Sequence, residues 1–315
     1  MRRFVHISGV LILVLIIGIV GLVNPDKSME YLITEYGGDN SKWTEVNGLE
    51  VHYRAEGKGD TILLLHGSAS SLHTWDGWAE ELTKEYFVVR MDLPAFGLTG
   101  PRQDRDYSID GYVSFLKSFC EKLGLQKFHL AGNSLGGQIA WNYTLLYPGQ
   151  VDKLILVDAA GYPSSGTETA LAFKIARNRI LSPIMKYITP KSFVKKNLIQ
   201  VYGDDSRISP ALVNRYHDLT LRPGNRQAFI DRATTTYSDR SDSIPKINHE
   251  TLILWGDQDT WTELAHAHRF DQDLTNSRLI IYPSVGHVPM EEEPERTVSD
   301  VVKFLRDETA LPETN

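Results

Sequence analysis

A serine hydroxyl attacks a carbonyl only when a nearby base takes its proton, and a histidine serves best when a carboxylate fixes its tautomer. Three short stretches of this chain supply those groups in the order Ser, Asp, His. The first is Gly132-Asn133-Ser134-Leu135-Gly136, which follows the apolar run Phe128 to Ala131 and precedes a helical run containing Gly137 to Trp141. This context predicts a strand, a very tight turn and a helix, with Ser134 at the apex. In such a turn, side chains two residues either side of the apex collide, so Gly132 and Gly136 are expected. The turn lifts the hydroxyl above a sheet edge and aims a helix N-terminus at a forming oxyanion. The plainer alternative is a serine that only caps a helix.

His287 stands in Ser284-Val285-Gly286-His287-Val288-Pro289, just past the last predicted strand, and should emerge at the same edge as Ser134. His66 ends a strand and suits a structural role better. His266 and His268 are two apart on a predicted helix and do not face each other, which argues against a metal pair. No metal or cofactor is therefore expected. For the orienting acid, Gly256-Asp257-Gln258-Asp259 follows a strand, and Asp259 lies far enough past its end to reach the histidine loop. Asp158, which ends an earlier strand, and Asp257, a turn former, are the alternatives. The oxyanion donors are expected to be the backbone N–H groups of Leu135 and of Ser68, in His66-Gly67-Ser68-Ala69.

The elements that must position these groups can also be read. Asn47-Gly48 between Trp43 to Val46 and Val51 to Ala55 signals a hairpin. Thr61 to His66 is a short apolar run of the kind buried on both faces of a sheet. Strands Phe87 to Asp92, Phe128 to Ala131 and Lys153 to Asp158 then alternate with helices Trp75 to Glu85, Ile109 to Leu123 and Leu135 to Tyr147. Such alternation predicts an α/β fold, mostly parallel, with helices on both faces of the sheet. Residues 161–243 show helical periodicity only, and strands return at Thr251 to Trp255 and Arg278 to Tyr282, before a helix from Glu295 to Arg306. The expected organisation is a core of 42–160 and 244–309 with a helical cap, 161–243, inserted between strands over the ligand-binding edge.

Ahead of the core, Met1-Arg2-Arg3 precedes Phe4 to Val23, uncharged apart from titratable His6. About twenty helical residues cover the ~30 Å hydrocarbon layer. Residues 1–23 are thus expected to be a transmembrane anchor, with 24–41 a linker carrying one short helix at Met29 to Tyr36. The rival is a cleaved signal peptide, which lacks an A-x-A-like site here. Arg2 and Arg3 place the catalytic region on the non-cytoplasmic side. The net charge of −7 disfavours nucleic acid as a partner. The single cysteine, Cys120, excludes an internal disulfide framework.

Taken together, Leu63-Leu64-Leu65-His66-Gly67, Asp92-Leu93-Pro94, the Ser134 stretch with Gly137, Trp255 to Asp259 and Gly286-His287 resemble the α/β-hydrolase family from about Lys42 to Asp307. Within it the chain looks most like bacterial serine esterases and lipases, and like membrane-anchored monoacylglycerol lipases. The resemblance implies cleavage of a carboxylic ester, small or lipidic, through an acyl-enzyme. Similar motifs occur in hydrolases that cleave carbon–carbon bonds of ring-fission products, and a non-catalytic binding protein on this fold is a further alternative. Serine at 134 departs from haloalkane dehalogenases and epoxide hydrolases, which place aspartate there. Ala95 stands where related chains often have glycine. Lys174, Arg177, Arg179, Lys186, Lys191, Lys195 and Lys196 form a basic stretch without an acidic residue, interleaved with Ile175, Ile180, Leu181, Ile184 and Phe193. That pattern marks the cap as a second candidate membrane contact; an ordinary solvated helix face is the alternative.

Overall fold

The computed structural model describes residues 22–163, 171–236 and 238–308. The expected anchor lies outside them apart from Leu22 and Val23. Among the described residues no helix is long and apolar enough to cross a membrane. The described chain opens with helix α1 (Met29–Tyr36), whose N-cap Ser28 accepts from the Tyr31 N–H.

Strands β1 (Lys42–Val46) and β2 (Leu49–Gly57) pair antiparallel about Asn47 and Gly48. Both turn residues have positive φ (51° and 77°), as the favoured two-residue hairpin turn requires. Next come β3 (Thr61–Leu65), α2 (Asp76–Leu82) and β4 (Phe87–Met91), followed by α3 (Ile109–Leu123), β5 (Phe128–Asn133), α4 (Leu135–Leu146) and β6 (Val151–Val157). Among the described residues, five α-helices then intervene before the sheet resumes: α5 (Leu171–Arg177), α6 (Ser182–Met185), α7 (Lys191–Val201), α8 (Pro210–Thr220) and α9 (Asn225–Thr234). The chain re-enters the sheet with β7 (Thr251–Gly256), α10 (Leu264–Asp273) and β8 (Ser277–Tyr282), and closes with α11 (Pro289–Glu292) and α12 (Pro294–Leu305).

The eight strands run in the order β1-β2-β4-β3-β5-β6-β7-β8. Only β2 pairs antiparallel, with β1 and β4; all other pairs are parallel. The alternation of side chains along β3 explains the two-faced core. Leu63 and Leu65 join one apolar cluster with Phe119 and Trp141, while Ile62 and Leu64 join the other with Trp78 and Val301. Each buried leucine or isoleucine removes enough apolar surface from water to contribute about 2 kcal/mol. Helix α3 shows how local signals set the limits of an element. Ser108 caps its start by accepting from the Gly111 N–H, and Gly124 ends it in the left-handed region at φ 69°. Cys120 is buried on its inner face.

The segment read as a linker is fastened down. Leu32 is wholly buried in a small cluster with Leu98 and Leu219. One carboxylate oxygen of buried Asp218, on α8, accepts from Lys27 Nζ at 2.8 Å, Tyr36 Oη at 2.9 Å and Tyr31 Oη at 3.0 Å. Burial would raise the Asp218 carboxyl, but these donors outweigh it and hold it below the ordinary carboxylate range. Further up, the Asn24 N–H donates to the Tyr187 carbonyl at 2.8 Å, and Arg226 pairs with Asp26 at 2.6 Å. No local periodicity announces these contacts, because the partners lie far apart in the chain.

Candidate active site

Parallel strands β3, β5, β7 and β8 deliver their C-terminal loops to one edge of the sheet, and every predicted site residue lies there. Ser134 joins β5 to α4 with φ 53° and ψ −114°, a strained conformation for a residue with a side chain. The glycines around it are sterically required. A Cβ at Gly132 would sit 2.2 Å from the Gly136 carbonyl oxygen, and one at Gly136 would sit 2.1 Å from that of Leu65. The turn is pinned by the Ser134 N–H on Val157 O (3.1 Å) and the Ala160 N–H on Ser134 O (3.1 Å). Leu135 opens α4, so no carbonyl of its own helix receives its N–H.

His287 and Asp259 meet as expected. His287 Nδ1 lies 2.7 Å from Asp259 Oδ2, and both side chains are buried. The other oxygen of Asp259 accepts from the backbone N–H groups of Trp261 (2.7 Å) and Thr262 (3.1 Å). Thr262 Oγ1 also donates to Asp259 Oδ2 and stands 3.2 Å from His287 Nδ1. With Nδ1 engaged, Nε2 is the ring nitrogen left for proton transfer. Asp257 instead accepts from the Ser284 N–H at 2.7 Å and shapes the histidine loop.

Ser134 and His287 line one mostly apolar cavity of about 110 Å³, together with Ser68, Trp261, Phe193 and Phe229. Phe193 and Phe229 come from the inserted helices, so those helices roof the cavity. The Trp261 ring lies 5.5 Å from the imidazole, centre to centre. Asp158, Asp259 and His287 bring potential metal-ligating atoms within 4.8 Å of one another. Asp259 already receives four protein donors, however, and a zinc site needs three or four free ligands. Carboxylate–imidazole chemistry is the better description.

Two supporting carboxylates escaped the sequence reading. Glu292, buried on α11, accepts from the N–H groups of Gly286 (2.9 Å), Gly203 (3.0 Å) and Asp204 (2.8 Å). It thereby ties the histidine loop to the end of α7, as does the His287 N–H on Val201 O at 2.7 Å. Asp92, read only as part of a motif, is fully buried. It accepts from the N–H groups of Leu72 (2.7 Å) and Leu98 (2.8 Å) and pairs with His52 at 2.7 Å. Burial works against its charge, but the interaction with His52 prevails and holds the carboxyl well below its ordinary range. His66 has the structural role expected of it: Nε2 accepts from the Leu93 N–H at 2.9 Å, and burial keeps the ring's proton affinity low. Ala95 has φ 86°, a conformation that glycine adopts without strain.

A strand–turn–helix elbow, a buried imidazole–carboxylate pair and a helical roof on a mostly parallel sheet define a class. The chain belongs to the α/β-hydrolase superfamily and is a hydrolase. The α/β hydrolase fold model matches residues 60–182. Among solved structures, a membrane phospholipase A described as a bacterial virulence factor is 28% identical, with a TM-score of 0.75 over 99% of this chain and 100% of that one. The crystal structure of a putative lipase from Acinetobacter baumannii is 29% identical, with a TM-score of 0.74, covering 90% of this chain and 97% of its own. The 2-hydroxy-6-oxo-2,4-heptadienoate hydrolase of Pseudomonas putida is 25% identical over 265 residues, 81% of this chain and 92% of that protein.

Proposed function

We propose that this hydrolase cleaves carboxylic esters through an acyl-enzyme on Ser134. In this reading His287 Nε2 takes the hydroxyl proton as Oγ attacks the carbonyl, and Asp259 stabilises the imidazolium. The N–H groups of Leu135 and Ser68 receive the oxyanion. His287 then protonates the departing alcohol and activates the water that releases the acid. The observation that carries this reading is the 2.7 Å contact of His287 Nδ1 with Asp259, on a cavity shared with Ser134 at its strained turn.

The substrate is a lipidic ester, presented at a membrane to which residues 1–23 anchor the chain, with the catalytic region on the non-cytoplasmic side. Three observations support this. The cavity wall is largely aliphatic and aromatic. Within the basic stretch, Ile180 is 78% exposed, with Ile184 and Tyr187 also exposed. The likeness to the membrane phospholipase A extends over nearly the whole chain. The Pseudomonas putida relative favours a second reading, hydrolysis of a carbon–carbon bond in a ring-fission product.

The test is a chain-length series of p-nitrophenyl esters alongside a ring-fission dienoate, with Ser134→Ala as control. Ester turnover that vanishes in the variant is the expected result. Turnover of the dienoate alone would replace this reading with the second.

A further inference from the structure

Asp158 lies at the end of β6 with a fully buried side chain, beside the imidazole–carboxylate pair. Two carboxyl groups this close in a dry site cannot both be ionised, so one holds a proton. The donors decide which. Asp259 accepts from two backbone N–H groups, the Thr262 hydroxyl and His287. Among the described residues, Asp158 accepts on Oδ1 from the Gly256 N–H alone, at 3.0 Å, and Oδ2 is buried without a partner. A bare carboxylate oxygen in that position is costly, whereas a protonated one becomes a donor facing the neighbouring charge.

We propose that Asp158 is a positioning residue, a neutral carboxylic acid whose Oδ2–H donates to Asp259 and holds that carboxylate on His287. The proposal deepens the acyl-enzyme reading and rests on it for its catalytic consequence. Burial first, and then the charge of Asp259, push the Asp158 carboxyl well above its ordinary range. The other titratable groups near it are His287, Glu292 and the neutral phenol of Tyr282; of these, Glu292 opposes a further negative charge. Folded protein therefore keeps a proton that unfolded chain releases above about pH 4, so folding weakens as pH rises through that window. An ionised Asp158 would lose its hold on Asp259 and repel it.

Asparagine is neutral at every pH and can donate from Nδ2 while its oxygen keeps the Gly256 N–H. Asp158→Asn should retain activity within about twofold near neutrality and flatten the weakening of folding with rising pH. Asp158→Ala, with no donor, should lower kcat by roughly tenfold. Infrared spectra should show the C=O band of a buried protonated carboxyl in the full chain and in Ser134→Ala, but not in Asp158→Asn. Because that band needs no turnover, it survives even where the ester reading fails. An unchanged band in Asp158→Asn, or a pH dependence of folding that this variant leaves unchanged, overturns the proposal.

Discussion

The sheet edge and the roof above it are built on opposite terms. At the edge, each reactive group is fixed by backbone it cannot escape: Ser134 by glycines that admit no Cβ, Asp259 by two N–H groups, and the His287 loop by Glu292. The roof presents aliphatic residues to water, with Ile180 at 78% and Tyr187 at 60% exposure among lysines and arginines. One of its attachments comes from the segment ahead of β1, where Lys27, Tyr31 and Tyr36 converge on Asp218. The difference teaches where substitutions should be felt. Changes at the edge alter chemistry, and changes in the roof alter holding and access.

Substitutions can break that contrast or sharpen it. The largest effect is expected from Asp259→Asn, which leaves the fold intact but sets the wrong tautomer on His287. It should lower kcat by about a thousandfold or more, read by steady-state kinetics with unchanged thermal unfolding. A loss below tenfold would place the orienting role elsewhere. Next, Asp218→Ala removes the buried acceptor shared by Lys27, Tyr31 and Tyr36. It should cost about 3 kcal/mol in denaturant unfolding, while kcat on a short ester changes by no more than about threefold. Ala95→Gly relieves an L-residue held at φ 86° and should stabilise by about 1 kcal/mol, against the added freedom of the unfolded chain. Ile180→Ser with Ile184→Ser should change stability by under about 0.5 kcal/mol. The same pair should reduce sedimentation with anionic vesicles; undiminished binding would make the exposed residues an ordinary surface.

Much of the edge was legible because its signals are local. Gly132 and Gly136 are demanded by the turn they flank, Asn47-Gly48 by its hairpin, and Asp259 and His287 each follow a strand at a set remove. Helix α3 and the short helix α1 begin and end where the pattern predicts, while several strands run one or two residues beyond it, as with β5 to Asn133. What could not be read is set by partners distant in sequence. Thr262 looks like any threonine until Asp259 and His287 fold onto it. Glu292 sits in an acidic run that reads as solvated surface, yet is buried under three N–H donors. Asp218 is unremarkable until residues some 190 positions earlier close around it.

The strap from Asn24 to Ser41 touches both halves of the molecule. Its first part grips the roof at Tyr187, Asp218 and Arg226, and its last part grips the sheet, where the Tyr36 and Gly37 carbonyls accept from Arg54. Mechanically it is a brace between the roof and the sheet. Tilting the roof away from the sheet means parting Glu292 from Gly203 and Asp204 and also stretching the few residues after Tyr36 or pulling open the knot at Asp218, so a tug on the chain ahead of Asn24 would be felt at the cavity ceiling.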